Sequence, residues 1–372
     1  MKTIGIVTIE DYVNYGNRLQ NYALTKLLEA EGCRVVNGIR VNTKQDYVVC
    51  SPGMVKKIVK CLIPYCLVRK RITPKPAQRN GLLQRREIRF TEYVNAYTTC
   101  ISPVVSRNHR ESMRALAQYE IDYFITGSDQ VWNPQYAGHS DEFLAFAPKG
   151  KRLSFAASLG VDKIPPEKKG QYKKYINEMN YLSVREQRAV EIIRELTGRD
   201  ADLTLDPTLL LESEKWQEAV RKPDIQLDAD YICTYFLGEV PDAAGNFAKK
   251  KGLKVFPLND KQVPELFVLD PGEFLYLIKN AAYVLTDSFH AVAFSIKYHK
   301  EFYVFNRKQK GAANMFSRIE TITKHFGLEK RIQTREEIVE QPPVEHWEAI
   351  DRELLMEKKR SMERLMEVME AE

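Results

Sequence analysis

The stretch "AAYVLTDSFHAVAFSI", residues 281–296, decides the fold. Its first part, an apolar run with a β-branched residue, reads as a strand buried on both faces. The part after Ser288 reads as an apolar helix, and Thr-Asp-Ser and a histidine lie between. A strand that hands over directly to a helix is the repeating unit of a parallel α/β sheet. In such sheets ligands bind beyond the carboxyl ends of the strands, where helix N-termini present free N–H groups and partial positive charge. His290 stands at that place. The helix dipole favours its neutral form, and a bound anion would raise its pKa again, so that it could donate a proton to a phosphorylated substrate. A lone histidine in this setting is more often a core histidine bonded to backbone.

The same alternation extends in both directions. "TIGIVTI" (3–9) is a buried strand, and "EDYVNYGN" (10–17) is a polar loop. "RLQNYALTKLLEAEG" (18–32) places Leu19, Tyr22, Ala23, Leu27 and Leu28 on one helical face and stops at Gly32. Further strands follow at "CRVVNGI" (33–39), "IDYFITG" (121–127), "KRLSFAAS" (151–158), "YLSVRE" (181–186) and "DLTLDPTLLL" (202–211). After a boundary near residue 210 the pattern repeats with "YICTYFLG" (231–238), "LKVFPL" (253–258) and "EFYVFN" (301–306). The fold class is therefore α/β, with two Rossmann-like domains of mostly parallel sheet, over residues 1–210 and 211–345. Residues 346–372 form a last helix with Trp347, Ile350, Leu354, Met362, Leu365 and Met369 near one face. It packs on the body.

Residues 54–90 differ from the rest. They are dense in Lys and Arg and interrupted by Pro64, Pro74 and Pro76, and they read as an insertion of short helices and loop. Cations mixed with Val55, Ile58, Val59, Leu62 and Ile63 suit either a solvated surface insertion or a dock on anionic lipid.

The chain has 372 residues, with 44% hydrophobic and 28% charged residues, as in an ordinary soluble protein. A net charge of +6 weakly favours anionic ligands. Neither zinc-finger spacing nor an aromatic RNA-binding motif is present, so no nucleic-acid partner is expected. The six cysteines, at 33, 50, 61, 66, 100 and 233, form no C-x-x-C pair and no metal-binding cluster with histidine. They read as reduced thiols, and no metal or cofactor is expected. The N-terminus is unlike a signal peptide and no run is long enough to cross a bilayer, so a cytoplasmic location is expected, with the inner membrane face as the site of any lipid contact.

Four strand-end loops carry chemistry. In "NYGNRL" (14–19), Gly16 permits a close backbone approach, Asn17 is a cap and Arg18 adds charge; a plain helix cap explains it equally. In "TGSDQVWNP" (126–134), Ser128, Asp129, Gln130 and Asn133 offer groups to hydroxyls, and Trp132 offers a face to a sugar. A capped turn with a buried tryptophan fits the same letters. In "LSVREQRA" (182–189), Arg185 sits where a guanidinium clamps a phosphate or carboxylate, or where it pairs with Glu186 or another carboxylate. The fourth loop is the one at His290, where the N–H groups of Ser288, Phe289 and His290 face an anion.

In this order, "NYGNRLQNYAL", "FITGSDQVWN", "LSVRE", "LDPTLLL" and "VLTDSFHAVAFSI" resemble the polysaccharide pyruvyl transferase family, from the first strand to about residue 310. The resemblance implies a GT-B-like arrangement with the site in the interdomain cleft. It implies phosphoenolpyruvate as donor and, as acceptor, a sugar of a cell-surface polysaccharide or its lipid-linked precursor, with no metal. Arg185 matches the family's donor-binding arginine and His290 its histidine. Many members carry Arg two residues before that histidine, where this chain has Ser288, which removes one anion contact.

The enol phosphate dictates the chemistry. Protonation of its methylene carbon creates positive charge at C2, a sugar hydroxyl adds there, phosphate leaves, and a second hydroxyl closes a ketal. The roles implied are His290 as general acid or phosphate contact and Arg185 as donor anchor. Asp129 is base or acceptor-hydroxyl contact, and the 288–290 N–H groups are phosphate ligands. His290→Ala and Arg185→Ala should then lose transfer with the fold intact. The competing readings are a GT-B-like glycosyltransferase using a nucleotide sugar and a glycan-binding member without donor chemistry.

Overall fold

The computed structural model describes residues 1–9, 11–37, 40–41, 81–97, 104–105, 113, 116–227, 230–308 and 316–371. The chain opens with β1 (Thr3–Val7), five buried residues, then α1 (Tyr15–Ala30) and β2 (Arg34–Val36). A two-stranded ribbon pairs β3 (Arg40–Val41) with β4 (Val104–Val105), and α2 (Gly81–Tyr97) lies between them in sequence. Next come β5 (Tyr123–Thr126), β6 (Arg152–Ser154), α3 (Lys169–Asn177), β7 (Ser183–Val184), α4 (Gln187–Thr197) and β8 (Asp202–Leu203). The strands order as β2-β1-β5-β6, all parallel. Parallel bridges at Leu153–Tyr181 and Ala157–Val184 continue the sheet toward the β7-β8 pair.

Two short helices, α5 (Pro207–Leu210) and α6 (Ser213–Gln217), lead into the second half. It comprises β9 (Tyr231–Tyr235), α7 (Asp242–Lys251), β10 (Lys254–Pro257), α8 (Pro264–Phe267), α9 (Pro271–Asn280), β11 (Tyr283–Thr286), α10 (Phe289–Lys297), β12 (Glu301–Phe305), α11 (Ser317–His325) and β13 (Ile332–Gln333). Its strands order as β10-β9-β11-β12-β13, all parallel. The last helix, α12 (Trp347–Glu370), buries Ile350, Leu354, Met362, Leu365 and Met369 and ends against the first half, where Tyr123 Oη donates to Met369 O at 2.9 Å. The molecule is thus α/β, two Rossmann-like halves of parallel sheet in a GT-B-like arrangement.

Each sheet reverses its direction of winding once, between β1 and β5 in the first and between β9 and β11 in the second. A loop leaving a sheet at such a reversal has a neighbour that turns to the opposite face, which opens a crevice for a ligand. The loops after β1, β5 and β11 carry "NYGN", "GSDQ" and "DSFH".

Helix α1 joins the two halves. Thirteen of its residues are buried, because it is covered by β-sheet on one side and by α5, α9 and α10 on the other. Tyr15 stacks on Phe274 at 4.2 Å and its hydroxyl donates to Leu269 O at 2.9 Å. The Arg86 guanidinium lies 4.5 Å from the Tyr15 ring and also donates to Asn259 Oδ1 and Phe267 O, at 3.1 and 3.2 Å. This corrects one expectation. The end of the basic stretch is not short helices and loop but part of a 17-residue helix, and Arg86 is buried in it because its planar cation finds an aromatic face and two oxygens. The lipid-docking positions Val55, Ile58, Val59, Leu62 and Ile63 lie outside the described residues. No helix among the described residues is long and apolar enough to cross a membrane.

Since Tyr15 fills the seam between the halves, Tyr15→Ala should lower the free energy of unfolding by about 3–5 kcal/mol, against about 1 kcal/mol for Tyr15→Phe, which loses only the hydroxyl bond. Urea unfolding of both variants checks this.

Candidate functional site

The site begins at the end of β5. Asp129 has φ of 68°, in the left-handed region that Asp tolerates better than most residues, and its carboxylate joins a cluster of groups from five segments. The neighbouring Ser128 is held by Gln20 Oε1, which accepts from its N–H at 3.0 Å, and Ser128 Oγ donates to Asp206 Oδ2 at 2.8 Å. Asp206 comes from the "LDPT" segment. It caps α5, with Oδ1 accepting from Thr208 N and Oγ1 at 3.0 and 2.7 Å. Arg185, at the end of β7, donates to Asp206 Oδ2 and, at 3.3 Å, to Asp129 Oδ1. Asn17 Nδ2 donates to Asp129 Oδ2 at 3.2 Å, and Arg318 of α11 lies 3.9 Å from Asp129 Oδ1.

The second half contributes His290 at the start of α10. Its Nε2 is 3.8 Å from Asp206 Oδ2, and its ring packs against α1 at Gly16. A Cβ on Gly16 would stand 2.6 Å from His290 Cε1 and nearer still to Nδ1. The Phe289 ring takes the Arg185 guanidinium at 4.6 Å and that of Arg318 at 5.7 Å. Ser288 makes no side-chain cap bond on α10.

The cluster thus holds two guanidiniums, two carboxylates and an imidazole, none more than 9% exposed. Burial alone would protonate Asp129, but Arg185, then His290 and Arg318, with the Asn17 hydrogen bond, outweigh it and hold the carboxyl well below the usual range. Burial likewise opposes ionisation of Asp206, and Arg185, His290 and the Thr208 bonds reverse that too. Burial pushes His290 down, against the pull of Asp206 and Asp129, so it rests neutral. Burial, then Arg185, lowers Arg318 to about 10. Three buried atoms in this one cluster have no hydrogen-bond partner: Arg185 Nε, Arg318 Nε and His290 Nε2. Buried polar nitrogens are rarely left so, and the two arginine N–H groups among them are free for acceptor oxygens.

The structure therefore brings together Arg185, Asp129, His290, Phe289 and Asn17 and corrects other expectations. The N–H of Ser288, expected to face an anion, donates to Thr286 Oγ1 at 3.0 Å. Asn14, not Asn17, caps α1, accepting from Asn17 N at 3.3 Å. Gly16 serves the close approach of His290, which covers it, and so does not face a donor. Arg18 is spent locally: it donates to Ile9 O at 2.6 Å and to Asn17 Oδ1, and lies over Tyr12 at 5.0 Å. Trp132 offers no face to a sugar. It is fully buried, stacked on Phe143 at 4.9 Å, with Nε1 donating to Glu142 O at 3.1 Å. Asn133 is fully buried as well, with Oδ1 accepting from Gln135 N at 2.9 Å, and Ser128 Oγ is committed to Asp206. Glu186 does not pair with Arg185; its Oε1 accepts from Ser158 Oγ, Leu159 N and Gly160 N at 2.9–3.1 Å. Gln130 keeps its place at the site's edge: with its amide turned to suit its neighbours, its oxygen lies 2.9 Å from Arg318 Nη2 and its nitrogen 2.8 Å from the hydroxyl of Tyr136. Tyr136, with 53% of its surface exposed, is the aromatic that a sugar could reach.

Sequence reasoning missed Asp206, Arg318, Gln20 and Tyr136. Residues 202–211 read as a strand, whereas the strand ends at Leu203 and Asp206 caps the short helix α5; that it also partners Arg185 is decided by the fold. Arg318 lies in 307–345, where no element had been recognised. Among the described residues no group of three His, Cys, Asp or Glu side chains could hold a metal.

A sequence profile of the family described as polysaccharide pyruvyl transferase matches residues 14–309. No curated protein matches the chain. Among solved structures, it is similar to UDP-GlcNAc 2-epimerase of Methanocaldococcus jannaschii (12% identity, TM-score 0.49, 100% of both chains covered). It is also similar to the Neisseria meningitidis UDP-GlcNAc 2-epimerase bound to UDP-GlcNAc (9%, 0.48, 100% of both chains). A third is a glycosyltransferase of Rickettsia africae (12%, 0.43, 100% of this chain and 98% of that one).

Two outcomes follow from the packed cluster. Asp206→Ala strands the buried Arg185 charge and should destabilise the fold by about 3–5 kcal/mol, read by urea unfolding. Arg185→Ala would strand two carboxylates, so it is not the fold-neutral change the sequence alone suggested. Stability should also fall in acid. His290 has a lower pKa folded than unfolded, so its contribution is complete above about pH 6.5 and is lost as pH drops below that. The depressed pKa values of Asp129 and Asp206 add a second loss below about pH 4. Comparing urea midpoints across pH 8 to 5 should show the first slope in the wild type and its absence in His290→Gln.

Proposed function

The chain belongs to the polysaccharide pyruvyl transferase family, and from that membership we propose that it moves the pyruvyl group of phosphoenolpyruvate onto two hydroxyls of one sugar, at the cluster between the two halves. The acceptor is a sugar of a cell-surface polysaccharide or its lipid-linked precursor, and the protein acts in the cytoplasm, at the inner membrane face where the acceptor is lipid-linked. The observation that carries the reading is the set of unpartnered buried nitrogens, Arg185 Nε, Arg318 Nε and His290 Nε2, at one spot. A small, highly charged anion with carboxylate and phosphate oxygens matches that set.

The chemistry assigns the roles. Neutral at rest, His290 gains a proton when the donor's negative charge arrives, because a nearby anion favours the imidazolium. It then gives that proton to the methylene carbon, and positive charge appears at C2. The neutral ring left behind is the base for the first sugar hydroxyl. Phosphate departs, the second hydroxyl adds at C2, and its proton leaves with phosphate or solvent. Each ketal formed uses one donor, two hydroxyls and one released phosphate. Asp129 is a poor base in this scheme, since its cationic neighbours hold its pKa down. It fits better as partner to an acceptor hydroxyl and as counter-charge to the arginines, with Gln130 and Tyr136 at the acceptor side. With every residue of the charged cluster below a tenth exposed, access requires the faces bearing Gly16 and His290 to part.

A nucleotide-sugar reading needs free N–H groups at the reversal of the second sheet to hold a diphosphate. There the N–H groups of Leu237 and Gly238 already donate to Asp287, at 2.7 and 2.8 Å, and Arg307 Nε donates to it as well, at 3.3 Å.

The test is phosphate release from phosphoenolpyruvate with a panel of free and lipid-linked sugars. Acceptor-dependent release is expected. Nucleotide diphosphate release from a sugar nucleotide would replace this reading with a glycosyltransferase, and glycan binding without either would replace it with a non-catalytic role. His290→Ala should lower kcat by about 10²–10⁴ with its thermal unfolding near that of wild type. Gly16→Ala should act through the same ring, displacing His290 and cutting kcat more than it raises KM for either substrate.

A further inference from the structure

Resting on that reading, we propose that Arg318 is the second cationic arm of the donor-anion site and takes the place of the arginine missing at position 288. Ser288 leaves the start of α10 without a long cation, and its own hydroxyl makes no cap bond. Arg318 reaches the same spot from α11, the helix after β12. Its guanidinium lies 5.7 Å from the ring of Phe289, the residue next to Ser288, and the Arg185 guanidinium lies 4.6 Å from that same ring.

The two arginines are held very differently. Arg185 donates to two carboxylates, those of Asp206 and Asp129. Arg318 approaches one carboxylate, Asp129, at 3.9 Å, and otherwise meets the neutral amide oxygen of Gln130 at 2.9 Å. Its Nε has no partner although the side chain is only 7% exposed. Burying a guanidinium beside another one, with Asp129 3.9 Å away and Glu186 as a more distant counter-charge, costs free energy. A dianionic or trianionic ligand bound between Arg185 and Arg318 offsets that cost. Arg318 also touches Gln130, so the same side chain links the donor arm to the acceptor edge.

Binding of phosphoenolpyruvate and of inorganic phosphate, measured by titration calorimetry on the whole chain, tests the proposal without relying on turnover. Arg318→Ala should weaken phosphoenolpyruvate binding about 10–100-fold, the loss of a charge-assisted hydrogen bond, and Arg318→Lys less. In turnover, KM for the donor should rise while KM for the acceptor stays within about twofold. The decisive variant is Ser288→Arg in the Arg318→Ala background, which should recover most of the lost affinity, something that repair of a merely structural defect would not do. Arg318→Gln, matched in length and uncharged, serves if Arg318→Ala fails to fold. Unchanged donor binding in folded Arg318 variants overturns the proposal and leaves the donor reading standing. A wild type that binds phosphate but not phosphoenolpyruvate, with phosphate binding lost in Arg318→Ala, keeps Arg318 as an anion arm and overturns the donor reading. A wild type that binds neither anion overturns both.

Discussion

One buried guanidinium organises the site. Arg185 is 3% exposed and its charge has to be met inside the protein. Asp206 and Asp129 meet it, and each brings its own segment along: Asp206 the cap of α5, Asp129 the loop after β5. Those loops in turn fix Ser128 and, through Gln20 and Asn17, the first turns of α1. Ions this deep are tolerated only when nearly every lone pair and proton is used. That demand is why four polar segments at strand ends share one geometry. It also explains why a change at any of them propagates to the others.

The second constraint is steric. His290 belongs to one half and Gly16 to the other, and the ring fits only because position 16 has no side chain. Helix α1 is packed on both halves, so this contact sits where relative movement of the halves would be felt first. A site assembled from both halves is complete only when they are together.

The reading of particular residues shows what a single sequence carries. "NYGN" announced a glycine with a purpose, but the expected purpose was a ligand, and the actual one is a histidine 274 positions away. Trp132 lay among polar residues and read as a sugar platform. It is core, because its loop folds back over Phe143 and Tyr172. Residues 81–90 read as part of a solvated basic stretch, and Arg86 turned inward once an aromatic seam was there to take it. In each case the local letters were compatible with two environments, and the choice belonged to residues distant in sequence.

By itself, then, the sequence determined the alternation of strands and helices, the parallel sheets in two halves, and the polar loops at strand ends, because these follow from periodicity and local turn chemistry over fewer than twenty residues. Its ordered motifs also determined the family. The tertiary structure alone decided that Asp206 and Arg318 belong to the cluster, that Arg18, Trp132 and Asn133 do not face a ligand, and that His290 rests neutral against Gly16. Those outcomes depend on burial and on charge pairs that form only when segments dozens to hundreds of residues apart are packed side by side.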